Sequence, residues 1–295
     1  MMRKIGIWTV WLILITGMMA FSGCPSVSGG VTPTPADENN NDDLDTNATW
    51  QDNFYGTTVD SSKWRVDYYQ EGGFGNLERQ VYRAQNAYLE NGKLVIKVEK
   101  VGSTYFSARL DTLGKQTFQY GKIEARIKIP KGNAIWPAFW MIGSMGSSDY
   151  ITPTTVDTSA GSYTGWPYCG EIDVMEFHGN APTSVHGTLH WNENPSAYDH
   201  AQYGLSKTIS DASLDYHIYR LDWDASMIRI SVDRTQYFQM DISGANKSEF
   251  RQPFFAILNV AIGTSSTPFF SGYPTTLDSD FPKYMYVDWV RYYAP

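Results

Sequence analysis

The chain has 295 residues and a formal charge of −8, with 42% apolar and 15% aromatic side chains. An acidic surplus of this size excludes nucleic acid and anionic membrane surfaces as charge-driven partners. Two cysteines, Cys24 and Cys169, exclude a disulfide-framed fold, and the stretch from residue 50 onward is long enough to bury a core of its own.

At the N-terminus, Arg3-Lys4 precede an apolar run over residues 5–21, followed by Ser22-Gly23-Cys24. A basic start, an apolar stretch marginal for a membrane span and small residues before a cysteine read as a signal peptide over residues 1–23. The ending resembles a bacterial lipobox, which implies a lipid on Cys24. Phe21 departs from that motif, and plain secretion by cleavage near Cys24 is the alternative. Residues 24–49 are rich in Ser, Gly, Pro, Thr, Asn and Asp, cannot bury enough to fold, and read as a flexible tether. The expected location is the outside of a bacterial cell, held at the surface or outer membrane only through the lipid, or else free. If Cys24 carries lipid, Cys169 has no disulfide partner, and it reads as a small packed side chain.

From residue 50, period-two patterning takes over. Residues 94–99 make the first clear strand, introduced by the turn signal Asn91-Gly92. Ile123, Ala125, Ile127 and Ile129 then alternate with Lys122, Glu124, Arg126 and Lys128, as in a half-buried antiparallel strand. Further strands are expected over 174–177, 185–191, 217–223, 228–232, 254–261 and 284–292. There is no long helical stripe and no internal repeat. Many short strands between turn signals predict one all-β domain, residues 50–295, built as a two-sheet sandwich. Eight of the ten tryptophans fall in it, though tryptophan serves cores as readily as sugar-binding surfaces.

The run Glu171-Ile172-Asp173-Val174-Met175-Glu176 places three carboxylates in one strand. Glu171 and Asp173 share a face because alternate side chains do. Glu176, at an odd offset, would face the other way unless a β-bulge at Val174–Met175 returns it. With the bulge, Glu171 and Glu176 are roughly 13 Å apart at the backbone. Side chains leaning together could then approach the carboxyl separation of about 5–5.5 Å found in retaining glycosidases. The plainer reading is a wet strand face that happens to be acidic. Like charges crowded on one face repel, however, and need a reason to persist. The aromatic, glycine-rich approach Gly165-Trp166-Pro167-Tyr168-Cys169-Gly170 also suits a sugar cleft. His186 and His190 share a strand face, but their spacing is too wide for comfortable zinc chelation.

This motif resembles the signature of glycoside hydrolase family 16, in the bulged form of laminarinases, agarases and carrageenases. Tyr120-Gly121-Lys122-Ile123-Glu124-Ala125-Arg126, Trp136-Pro137-Ala138-Phe139-Trp140-Met141, His186-Gly187-Thr188-Leu189-His190-Trp191 and Val287-Asp288-Trp289-Val290-Arg291-Tyr292 resemble further family segments. The likeness spans about residues 50–295. It implies a β-jelly-roll sandwich of two antiparallel sheets with a concave substrate cleft. It also implies a retaining endo-β-glycanase with Glu171 as nucleophile, Glu176 as acid/base and Asp173 as their helper. Asn76, Trp136, Trp166 and His190 match substrate-contacting positions. No cofactor is implied as a requirement, and a monomer is expected. A structural calcium site would use Asn53, Gly92 and Asp288, weakened because Asn53 stands where relatives carry Glu. The loop Thr264-Ser265-Ser266-Thr267-Pro268-Phe269-Phe270 departs from the Gly and Trp usual in laminarinases. The expected substrate is a polysaccharide, first β-1,3-glucan. Agarase, porphyranase or carrageenase activity and a non-catalytic glucan-binding role are the alternatives.

Overall fold

The computed structural model describes residues 45–67, 76–144, 165–194 and 196–295. The leader, Cys24 and nearly all of the tether lie outside the described residues. Seven strands form one sheet in the order β12 (His200–Thr208), β11 (Ser184–Asn192), β10 (Glu171–Glu176), β9 (Ile135–Gly143), β16 (Phe254–Ile262), β7 (Arg109–Asp111) and β2 (Arg65–Asp67). The other runs β15 (Thr235–Asp241), β14 (Met227–Val232), β13 (His217–Trp223), β8 (Gly121–Lys128), β17 (Lys283–Tyr293), β5 (Lys93–Val101), β6 (Thr104–Ser107) and β3 (Gln80–Tyr82). To this second sheet β1 (Trp50–Asp52) adds on β17 and β4 (Ala87–Glu90) on β5. Every pairing is antiparallel except that of β3 with β6. This is the two-sheet sandwich that the patterning predicts, and the jelly roll that the family resemblance implies.

The alternation in β8 works as read: Ile123, Ala125 and Ile127 are buried while the charged residues between them face outward. Asn91 and Gly92, with φ of 52° and 69°, make the tight turn from β4 into β5. Positive φ at both positions matches the right-handed twist of the flanking strands. β16 is buried on both faces. Phe254, Ala256, Leu258, Val260 and Ile262 fill the core between the sheets. Phe255 and Ile257 join Ile142 and Cys169 in a small second cluster on the outer face. That cluster, flanked by Trp140 and Trp166, forms part of the cleft floor. Cys169 is buried within it, and burial pushes its thiol up to about 12, so it packs and does not react. Several elements escape the sequence reading, among them the short β1, β2, β3, β6 and β7 and the longer β12 and β15. β12 is an edge strand, largely exposed, so no alternation marks it, and β15 has the same weakness.

Candidate active site

The cleft is organised by register. Across β10, the ladder to β11 pairs Glu171 with His190, Asp173 with Thr188 and Glu176 with His186. The ladder to β9 pairs Glu171 with Ile142, Asp173 with Trp140 and Glu176 with Ala138. Both ladders slip by one residue after Asp173, so the bulge is present at the expected place. Its effect is direct: Val174 and Met175, consecutive in sequence, both enter the core with Ile172 and Phe177. All three acids are thereby left on the opposite, cleft-facing side. The small Ala138 beside Glu176 leaves room for that carboxyl.

Each acid has defined neighbours. Trp136 Nε1 donates to Glu176 Oε1 at 2.8 Å. His190 Nε2 stands 3.2 Å from Asp173 Oδ2. On its other side, His190 Nδ1 is 3.0 Å from Nε2 of His200, so one imidazole donates to the other. Trp166 covers this pair, its ring centre 4.6 Å from His200 and 6.1 Å from His190. Further along the sheet, Trp140 Nε1 donates to Asn259 Oδ1 at 2.7 Å, and Arg109 lies over the Trp140 ring at 4.8 Å. Asn259 Nδ2 in turn donates to Tyr82 Oη at 3.0 Å. The exposed Asn76 reaches Glu78 Oε1 at 3.4 Å at the rim of this network.

Burial dominates the electrostatics. Asp173 and Glu176 are buried, at 2% and 7% exposure, and among the described residues no Lys or Arg pairs with either. Burial, with Glu176 as the nearest repelling charge, holds Asp173 well above the usual carboxylate range. Burial and then the Asp173 charge push Glu171 to about 8, opposed by His190 and Trp166. Burial lifts Glu176 to about 7, with His190 and the Trp136 N–H pulling the other way. A carboxyl-to-carboxyl hydrogen bond joins Glu171 and Asp173, and such a bond requires one proton between them. When that proton sits on Asp173, Glu171 is the free anion. Raised carboxyls of this kind hold protons up to neutrality, which supplies the carboxylic acid that acid-assisted displacement needs.

Most of the residues expected to matter converge here: Glu171, Asp173, Glu176, Trp136, Trp166 and His190 line one cleft, with Asn76 at its rim. Trp136 has a second task beside the expected one. Its N–H donates to Glu176 and one face of its ring stacks on Phe269 at 4.8 Å and 17°, so it also serves the acid. His200 was not anticipated, because the length of the turn joining β11 to β12 is not fixed by pattern alone. Glu171, Asp173 and His190 could also offer one atom each to a cation, all within 4.8 Å. The proton shared by the two acids already relieves their repulsion. At the far edge, Asn53 is buried with neither side-chain atom hydrogen-bonded. Gly92 turns between β4 and β5, and Asp288 forms ion pairs with Arg126 and, at 3.9 Å, Lys93.

A two-sheet jelly roll carrying paired, buried carboxyls on its cleft face defines a glycoside hydrolase. The model of the glycosyl hydrolases family 16 matches residues 75–290, and the chain belongs to that family. It is 35% identical over 262 residues to the Beta-glucanase of Rhodothermus marinus, covering 83% of this chain and 84% of that protein. Identity is 37% over 250 residues to the Clotting factor G alpha subunit of Tachypleus tridentatus, covering 83% of this chain. Of that relative's own length the match spans only 33%. Among solved structures, the laminarinase of Flavobacterium sp. UMI-01 superposes with a TM-score of 0.68 at 33% identity, covering 83% of this chain and 99% of that one.

Proposed function

We propose that residues 50–295 form a retaining endo-β-glycanase whose first substrate is β-1,3-glucan. The observation that carries the reading is the bulge in β10, which puts Glu171 and Glu176 on one face with Asp173 between them. In the first step the Glu171 carboxylate attacks the anomeric carbon and forms a glycosyl ester. The bond to the leaving oxygen breaks, and Glu176 gives that oxygen its proton. In the second step Glu176, now a base, takes a proton from water. The water oxygen then displaces Glu171 and regenerates both groups. Asp173 shares one proton with Glu171, so that Glu171 attacks as the anion when Asp173 holds that proton, and His190 steadies Asp173. A pure glucan binder has no use for three clustered acids, two of them buried, which weighs against the non-catalytic alternative.

The substrate class rests on the laminarinase and beta-glucanase relatives, while the 264–270 loop keeps algal galactans in the comparison. Incubating the purified domain with laminarin, lichenan, agarose, porphyran and carrageenan decides it, with laminarin expected to be cleaved fastest. Proton NMR of the first minutes should show the β-anomer. Initial α-anomer would rule out the double displacement.

The N-terminal reading is part of the same proposal: export through residues 1–23, lipid on Cys24, and a tether to residue 49 that lets the domain reach a polymer. Two acyl chains anchor stably where one does not. Membrane fractionation and intact mass from a bacterial host test it, and a soluble product beginning beyond Cys24 leaves plain secretion. The calcium donors do not fit a cation as arranged. The one carboxylate, Asp288, is already neutralised by Arg126 and Lys93, and Asn53 brings no charge. A chelator should accordingly leave the melting temperature within about 1 °C, and a drop of several degrees restores the calcium site.

A further inference from the structure

The 264–273 loop follows β16 and departs from the usual family pattern, and it ends inside the cleft. Phe270 anchors it. Phe270 is buried, and a Cβ at Gly263 would lie 2.3 Å from the Phe270 ring, so glycine is what lets the ring seat there. Thr264 N donates to Thr267 Oγ1 at 2.8 Å, closing the turn that presents the next residues.

With Phe270 fixed, Phe269 joins a series of four nearly parallel rings. Trp136 contacts Phe269 at 4.8 Å and 17°, Phe269 contacts His178 at 3.9 Å and 14°, and His178 contacts Tyr273 at 3.5 Å and 12°. Two of the four come from the loop. His178 lies two residues beyond Glu176 and is buried. Burial, with His186 as a second cause, pushes its imidazole down to about 3, so it stacks as a neutral ring. At the other end of the series, Trp136 gives its indole N–H to Glu176.

We propose that Phe269 is a positioning residue for Glu176, holding the Trp136 indole in the plane from which its N–H meets the acid/base. This rests on the reading of Glu176 as acid/base given above. A donor aimed at a carboxylate stabilises the ionised form. Removing or misaligning it should let Glu176 keep its proton to higher pH. The other titratable groups facing Glu176 are Glu171 and Asp173 on its own strand, His190 and His186 from β11, and Tyr237 from β15. His186 also touches Phe269 edge-on at 5.6 Å. Were the loss of Phe269 to act by letting His186 or His178 charge, Glu176 would give up its proton at lower pH. The direction of the shift therefore separates the two routes.

The test is the pH dependence of kcat/KM on laminarin, or on whichever polysaccharide the domain cleaves. Trp136→Phe keeps a ring and loses the N–H, so its alkaline limb should move up by about one pH unit. Phe269→Ala should move the limb in the same direction by about half as much, with kcat down roughly tenfold and KM within about twofold. Phe269→Tyr should restore both, and Phe269→Leu serves if the alanine variant folds poorly by circular dichroism. An unmoved limb with KM alone raised makes Phe269 a sugar contact, and a downward shift assigns the effect to the histidines; either overturns the proposal. Azide rescue of Glu176→Ala on an activated aryl β-glycoside checks the underlying reading separately. Azide attacks the glycosyl ester, forms the C–N bond and releases Glu171. No rescue, with undiminished activity, would overturn the role of Glu176 itself.

Discussion

The two outer faces of the sandwich use the same side chains to opposite ends. On the ten-stranded sheet, acids and bases alternate in register and neutralise each other. Arg220 lies opposite Glu124 on β8 and grips Asp222 through Nε at 2.6 Å, while Lys122 is 3.6 Å from Glu124. Lys97 and Arg83 converge on Glu99 at 2.5 and 2.6 Å. Cations also lie over rings, as Lys122 does over Tyr293 at 3.5 Å. On the seven-stranded sheet, three acids lie along one face of a single strand, and among the described residues only His190 comes within ion-pair distance of them, at Asp173. The paired face is half-exposed and inert. Farther along the seven-stranded sheet Arg65 still pairs with Asp111 at 2.8 Å, but in the β10 cluster burial lets protons replace the missing cations, which makes that stretch reactive.

Breaking the unpaired face should have the largest effects. Glu171→Gln should lower kcat by at least about a thousandfold, and Glu176→Gln by about a hundred- to ten-thousandfold on polysaccharide, both with the fold intact by circular dichroism. Near-wild-type turnover in either would remove the mechanism. Asp173→Asn should cost less, about ten- to a hundredfold, because it removes a proton holder and no bond-making atom. His200→Ala should lower kcat by about five- to tenfold with little change in KM, since it frees the Nδ1 side of His190. A change in KM alone would make His200 a substrate contact.

The same comparison gives a stability prediction of opposite sign. Glu171 has a folded value raised to about 8 from 4.5, chiefly by burial. A group raised in this way favours the folded state below its unfolded value, and that contribution is lost as pH rises through the folded one. Between about pH 4.5 and 8 the wild type therefore loses stability that Glu171→Gln keeps. The variant should melt at nearly the wild-type temperature at pH 4.5 and above it at pH 8, by on the order of a few kcal/mol in unfolding free energy. Equal melting temperatures across that window would show that Glu171 is solvated and that burial does not set its state.

How far the sequence carried this account depends on which interactions are local. The strand alternation, the Asn91-Gly92 turn and the shared face of Glu171 and Asp173 are local, and they stand as read. The bulge could be inferred because Glu176 had to return to that face. The ring series could not, because Trp136, His178 and Phe269 come from three separate segments, and only the register of β9, β10 and β16 brings them together. The 264–270 loop could be flagged as unusual, but nothing in its composition says that Phe270 locks against Gly263 and turns Phe269 toward Trp136. His200 was invisible for a related reason: its strand is exposed and lacks the alternation that would have fixed its phase.

The smallest expected effect comes from the paired face. Asp222→Asn removes one partner of Arg220, yet Glu124 remains 3.5 Å from the guanidinium and takes up the charge. Both side chains of the Arg220–Asp222 pair are about a third exposed, at 34% and 30%, so water screens whatever is lost. The change in unfolding free energy should stay within about 0.5 kcal/mol, and kcat/KM should not move. Repeating the measurement in about 1 M salt should shrink even that difference, because the Debye length there falls to about 3 Å. A loss of activity in Asp222→Asn would mean that the two faces communicate through the core. Charge pairing on one sheet would then no longer be separable from proton holding on the other.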